Sequence, residues 1–159
     1  MYTAEGKLFA VFGDKRRIPI DLADVPQQII DAFIAAEDDR FYEHLGVDYE
    51  GLIRATINLI TTGQRTQGGS TITMQLARNF FLTNQRTYER KIKEIYLALI
   101  MERLLTKEEI LNLYLNKIFL GKRAYGIAAA AEIYYGKSIG ELTLAQNAMI
   151  ASLPKAPST

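Results

Sequence analysis

A chain of 159 residues, 48% of them hydrophobic, is long enough to bury one real core and too short for two comfortable domains. A formal net charge of +1 argues against a general nucleic-acid binder, which needs a strong basic excess. The absence of cysteine removes disulfides, zinc–thiolate sites and thiol nucleophiles together. No run approaches the roughly 18 apolar residues of a membrane span, and the start does not read as a signal peptide. Both ends read as cut, so the expectation is a single domain over residues 1–159 excised from a longer chain.

In chain order, Leu8-Phe9-Ala10-Val11-Phe12 reads as a short strand, Gly13-Asp14 as a turn, and Ile18-Pro19-Ile20 as extended. After that the pattern is helical. Asp24 is expected to cap a helix starting near Pro26, with Ile29, Ile30, Phe33 and Ile34 as its apolar stripe. Asp48 caps the next, with Leu52, Ile53, Ile57 and Ile60 periodic, and Ser70 opens a third carrying Ile72, Leu76 and Phe80. Thr87 starts a long helix with expected core positions Ile92, Ile95, Tyr96, Leu99 and Leu104. Thr106 and Glu109 form a capping box, as do Thr143 and Gln146. A helix over Ala124–Tyr135 carries four consecutive alanines and ends at Gly136, where a C-terminal cap is wanted, and Pro154 ends the last helix. The fold class is mostly α with a short extended N-terminal segment.

The charges are segregated. Glu37, Asp38, Asp39, Glu43, Asp48 and Glu50 face Arg40 alone, whereas Arg78, Arg86, Arg90, Lys91 and Lys93 face Glu89 alone. Such runs are often just solvated faces. Glu37, however, lies four residues after Phe33 on the apolar stripe, at the negative end of its helix. Desolvation and the helix dipole both raise a carboxylate's pKa there, toward what a general base needs. A structural glutamate paired to an arginine is the competing reading. Gly63 to Ser70 nearly matches a P-loop, but Gly69 stands where the lysine belongs and no strand precedes it. Glycines followed by a helix start still suit a diphosphate, with Thr71, Gln75 and Arg78 on one face; an ordinary N-cap is the alternative. Glu94, with Arg90 and Lys91 one turn before it, reads either as a second functional carboxylate or as an exposed helical ion pair. Lone His44 reads as a structural hydrogen-bonding residue, since no second histidine exists to build a metal site.

Four stretches then become recognisable. Glu37-Asp38-Asp39-Arg40-Phe41-Tyr42-Glu43-His44-Leu45-Gly46-Val47-Asp48 resembles the first motif of the family-51 peptidoglycan glycosyltransferases, usually found in bifunctional class A penicillin-binding proteins. Gly68-Gly69-Ser70-Thr71-Ile72-Thr73-Met74-Gln75-Leu76-Ala77-Arg78-Asn79 resembles the second. Arg90-Lys91-Ile92-Lys93-Glu94 is similar to the third, and Ile110-Leu111-Asn112-Leu113-Tyr114-Leu115-Asn116 to the fourth. The likeness runs in order along essentially the whole chain.

The resemblance implies a lysozyme-like helical fold and polymerisation of lipid II onto a growing glycan chain, at the outer face of the bacterial cytoplasmic membrane. It implies that Glu37 deprotonates the acceptor sugar's 4-hydroxyl, which attacks the anomeric carbon as lipid diphosphate leaves with inversion. Asp38, Phe41 and His44 carry over as support or contact residues. Thr71, Gln75, Arg78, Arg86, Arg90 and Glu94 carry over to the donor and diphosphate side, Glu94 in an organising role. It associates a divalent cation, Mg²⁺ or Mn²⁺, but no organic cofactor with the activity, along with inhibition by moenomycin and cell-wall synthesis proteins as partners. It also places a membrane anchor before, and a transpeptidase domain after, this segment.

Met74 stands where glutamine is common, Arg78 where lysine is, and Asn112 where glutamate is frequent. Leu52 to Ile60 is more apolar than one core stripe requires, so part of it is expected to dip into a bilayer surface, unless it is a helix buried on two sides. A glycan-cleaving enzyme on a similar fold would need one catalytic glutamate but no basic diphosphate site. A non-catalytic binding module would tolerate loss of Glu37.

Overall fold

A computed structural model of the protein describes residues 16–63, 69–81 and 87–155; the strand and turn expected over 8–14 lie outside the described residues. The expected mostly helical architecture is present. Strand β1 (Arg16–Arg17) leads through a 3₁₀ turn (Leu22–Asp24) to α1 (Gln27–Glu37). Helices α2 (Tyr49–Thr62), α3 (Ile72–Phe81), α4 (Tyr88–Leu104) and α5 (Lys107–Lys117) follow. Then come β2 (Ala124–Tyr125), α6 (Ile127–Tyr135), a 3₁₀ turn (Ile139–Glu141), α7 (Leu144–Ser152) and a last 3₁₀ turn (Leu153–Lys155). The extended N-terminal piece pairs in parallel with β2, Arg16 opposite Ala124 and Arg17 opposite Tyr125.

Most helix starts are written in local sequence. Thr87 caps α4, the two boxes at Thr106/Glu109 and Thr143/Gln146 form, Asp48 Oδ1 accepts from Gly51 N–H, and Gly136 ends α6 in the left-handed conformation. Three expectations shift. Asp24 lies inside a 3₁₀ turn capped by Asp21, and α1 starts after Pro26 with no side-chain cap. Thr71, not Ser70, caps α3 by accepting from Met74 N–H. Ala124 and Tyr125 belong to β2, and α6 begins only after Gly126, where φ is +88° and a Cβ would lie 2.8 Å from the Asn116 carbonyl oxygen.

One large core joins α1, α3, α5, α6 and α7 around Phe33, Phe41, Tyr114 and Ile127, with Ala129, Ala130 and Ala131 of α6 buried. A small satellite of Val47, Met74 and Ala98, with Leu52, Ile95 and Leu99 against it, holds the α2 side. Met74 is thus a packing residue, which accounts for an apolar side chain at that place. In α4 the expected face is right at Ile95 and Leu99, which pack on the satellite core, but Ile92, Tyr96 and Leu104 are exposed, while Glu94, Ala98 and Met101 are buried. This helix has more apolar residues than one stripe holds, so periodicity does not select the face. Packing against α3 does. Ala98 permits close approach, and Glu94 goes inside because cations meet it there. Ile53, Ile57 and Ile60 of α2 are exposed too, so α2 is not buried on two sides.

The fourth motif works as a clamp. The Asn116 side chain accepts from Ile20 N–H at 2.9 Å and donates to Ile20 C=O at 2.8 Å, joining α5 to a segment 96 residues away. Asn112, where glutamate is frequent, accepts from the same Asn116 amide through both its side-chain and backbone oxygens. Asn116→Ala is expected to lower unfolding stability by about 2 kcal/mol, because both Ile20 backbone groups lose their partner; urea denaturation measures it.

Candidate active site

The end of α1, the start of α3 and the last 3₁₀ turn enclose a cleft of about 580 Å³, whose wall includes Glu37, Asp38, Arg54, Ser70, Thr71, Gln75, Arg78 and Lys155. Glu37 is the last residue of α1, so its carboxylate sits at the negative end of that helix. Its Oε2 accepts from Gln75 Nε2 at 2.9 Å, and its Oε1 is buried with no hydrogen-bond partner. Burial pushes its pKa up from the ordinary 4.5, against the Gln75 hydrogen bond and the charges of Lys155 and Arg78, with Asp38 adding to the rise. No arginine holds it in a structural ion pair among the described residues.

Behind Glu37, Asp38 accepts from Ile72 N–H at 2.9 Å through Oδ2, and its two oxygens lie 2.9 and 3.1 Å from His44 Nε2. Both side chains are buried, and Phe41 is fully enclosed. Asp38 lies in the cleft wall while Phe41 and His44 stand buried behind it, a position that suits the supporting one of the two expected roles. His44 serves structurally, as its isolation in the sequence suggested. The hydroxyl of Thr71 donates to Gly46 C=O at 2.6 Å while accepting from Met74 N–H. Two of the first N–H groups of α3 are thus taken, by Asp38 and by Thr71. The fold uses these two donors to hold the first motif in place, so among the described residues the start of α3 is a side-chain-capped helix end.

Positive charge in the cleft comes from side chains instead. Arg78 lies on α3 beside Gln75, Arg54 on α2, and Lys155 on the C-terminal turn. Spacing gave no signal for Arg54 and Lys155, which tertiary structure alone brings together. Arg86 lies outside the described residues. Glu94 is 1% exposed, so the exposed helical ion pair is overturned. Arg90 Nε stands 3.5 Å from its Oε1 and Lys91 Nζ 3.3 Å from its Oε2, and Lys91 Nζ is also 3.4 Å from Ser70 Oγ on the cleft wall. Glu94 and Arg90 are not in the cleft wall; they adjoin it through Lys91 and Ser70. The acidic run is tied down locally, Arg40 pairing with Glu43, Asp48 and Glu50. Among the described residues no three aspartate, glutamate or histidine side chains converge to hold a metal. Asp38 is engaged by Ile72 N–H and His44, and Glu94 is paired with Arg90 and Lys91.

The family model described as Transglycosylase matches residues 5–159. The chain belongs to the transglycosylase family. Penicillin-binding protein 1A of Escherichia coli (strain K12) is 58% identical to this transglycosylase domain over 159 residues, 100% of this chain and 19% of that protein. Penicillin-binding protein 1A of Haemophilus influenzae is 60% identical over the same length, again 19% of that protein. The domain thus spans about a fifth of the length of these relatives. A 2.6 Å crystal structure of penicillin-binding protein 1A from Haemophilus influenzae aligns with 99% of this chain and 14% of its own, at 37% identity and a TM-score of 0.46, too loose a superposition to bear on details.

The raised pKa of Glu37 has a consequence for folding. The folded chain holds this proton more tightly than the unfolded one, so the contribution of Glu37 to stability falls as pH rises from 4.5 through the raised value. Glu37→Gln is expected to be more stable than the wild type near neutral pH, with the gap closing toward pH 4.5. Denaturation curves at both pH values check this; a gap independent of pH would contradict the desolvation of Glu37.

Proposed function

We propose that this transglycosylase domain is a peptidoglycan glycosyltransferase that polymerises lipid II, with Glu37 as the general base. The observation that carries the reading is a half-buried carboxylate of raised pKa, with one oxygen unpartnered, in the wall of a cleft that also bears Arg54, Arg78 and Lys155. With one oxygen held by Gln75, the other is left without a partner to accept a proton from a hydroxyl seated in the cleft. Glu37 takes the proton of the acceptor 4-hydroxyl. That oxygen bonds to the anomeric carbon of the growing chain as the bond to lipid diphosphate breaks on the opposite face, inverting the centre. The departing diphosphate carries the negative charge, and Arg78 and its neighbours stabilise it in a site partly shielded from water. Glu94 orients Arg90 and Lys91 from within, and Asp38 fixes the start of α3 relative to Glu37.

A glycan-cleaving enzyme is less well supported, since water as acceptor leaves the cationic wall without a purpose. Polymerisation of labelled lipid II, with and without Mg²⁺ or Mn²⁺, tests the reading. Glu37→Gln is expected to fold and to lose about two to four orders of magnitude in turnover. Polymer formed equally well by this variant would remove Glu37 as the base, and cleavage of glycan by the wild type would favour the hydrolytic alternative.

The lipid substrate also requires work at the outer membrane surface. No helix among the described residues is long and apolar enough to cross a membrane. Ile53, Ile57 and Ile60 on α2 nevertheless face solvent, which supports shallow insertion of this helix into lipid. The variant Ile57→Asp, Ile60→Asp is expected to keep its fold and lose liposome binding at least several-fold; undiminished co-sedimentation with liposomes would count against insertion.

A further inference from the structure

Tyr114 takes no part in the chemistry proposed above, yet it stands directly behind the base. It is fully buried on α5, edge-on to Phe33 of α1 with 6.3 Å between ring centroids. Its hydroxyl donates to Gln75 Oε1 at 3.3 Å, and a buried tyrosine hydroxyl needs such a partner. Burial pushes the pKa of that hydroxyl far above its usual value, so it remains a donor at any working pH.

A glutamine amide has an accepting and a donating end of nearly the same shape. With Tyr114 donating to Oε1, the NH₂ end must point the other way, where it lies 2.9 Å from Glu37 Oε2. Turned over, the amide would aim its carbonyl oxygen at the carboxylate and strand the Tyr114 hydrogen. The tyrosine and the carboxylate therefore favour the same end of Gln75, and the tyrosine adds its hydrogen bond to that choice.

We propose that Tyr114 is a positioning residue for glycosyl transfer, fixing the Gln75 amide so that it holds the Glu37 carboxylate where the acceptor hydroxyl arrives. The inference rests on the reading of Glu37 as base. The charged groups that bear on Glu37 are Lys155 on the C-terminal turn, Arg78 on α3 and neighbouring Asp38. All are left in place by Tyr114→Phe, which keeps the ring and removes only the hydroxyl. What the variant frees is the amide, whose N–H otherwise favours the charged carboxylate.

The test is a ¹³C-carboxyl NMR titration of glutamate-labelled protein, the Glu37 resonance being identified by its loss in Glu37→Gln. Tyr114→Phe is expected to raise the Glu37 pKa by about one unit. The acid limb of the kcat–pH profile should move with it while KM for lipid II stays put. Gln75→Leu should give a shift at least as large, and the double variant no more than Gln75→Leu alone, since Tyr114 acts through that amide. A lowered Tm with an unmoved Glu37 titration would reduce Tyr114 to a packing role. If Tyr114→Phe does not fold, an unmoved Glu37 in Gln75→Leu overturns the proposal just as well. A wild type that makes no polymer would sink the base reading and this role with it, whereas a polymerising wild type with unmoved titrations would sink the Tyr114 role alone.

Discussion

The buried carboxylate of Asp38 is the joint on which the site depends. It follows Glu37 directly, receives the first N–H of α3 and meets the ring of His44, so the end of α1, the loop after it and the start of α3 share one anchor. A polar group this deep is tolerable only when its partners are supplied. The position of Glu37 relative to Gln75 and Arg78 is therefore set by hydrogen bonds behind the cleft, where substrate does not compete for them. The same loop is held from its far side by Lys107, whose ammonium donates to His44 C=O at 2.6 Å, pairs with Glu102 at 2.8 Å and lies over the Phe41 ring.

That arrangement divides the labour in the cleft. Two backbone donors at the start of α3 are used to build the site, and the positive charge in the cleft wall comes from long side chains of α2, α3 and the last turn. Glu37 is given the opposite treatment: burial, a helix C-terminus and an adjacent aspartate all disfavour its charge, with Gln75 and the cations opposing them. A general base needs such a balance, since a fully solvated carboxylate is a weak base and a desolvated one without charge partners resists ionisation. Tyr114 belongs to the balance because its hydrogen bond favours the end of Gln75 that takes part.

The outer face follows a different constraint. α4 spends its interior positions on Glu94, Ala98 and Met101 and leaves Ile92 and Tyr96 in solvent, while α2 leaves Ile53, Ile57 and Ile60 uncovered. Apolar side chains grouped on one exposed helix face mark a candidate contact surface. The lipid-anchored substrate proposed for this domain would account for those on α2.

The sequence by itself determined the mostly helical class, the capping boxes at Thr106 and Thr143, the Thr87 start, the Gly136 stop and, through its ordered motifs, the family. All of these depend on local backbone hydrogen bonding or on residue identity, which neighbours in sequence carry. It also placed Glu37 on the apolar side of α1 at the helix end, because one helix with a clean stripe fixes its own inner face. Tertiary structure decided the rest. It buried Glu94 with its cations, left Ile92, Tyr96 and Leu104 of α4 exposed, placed Phe41 and His44 behind the cleft, and tied two N–H groups of α3 to Asp38 and Thr71. It brought Arg54, Lys155 and Tyr114 to the site. Each of these is a contact between elements distant along the chain, and periodicity and spacing say nothing of which partner a side chain will meet.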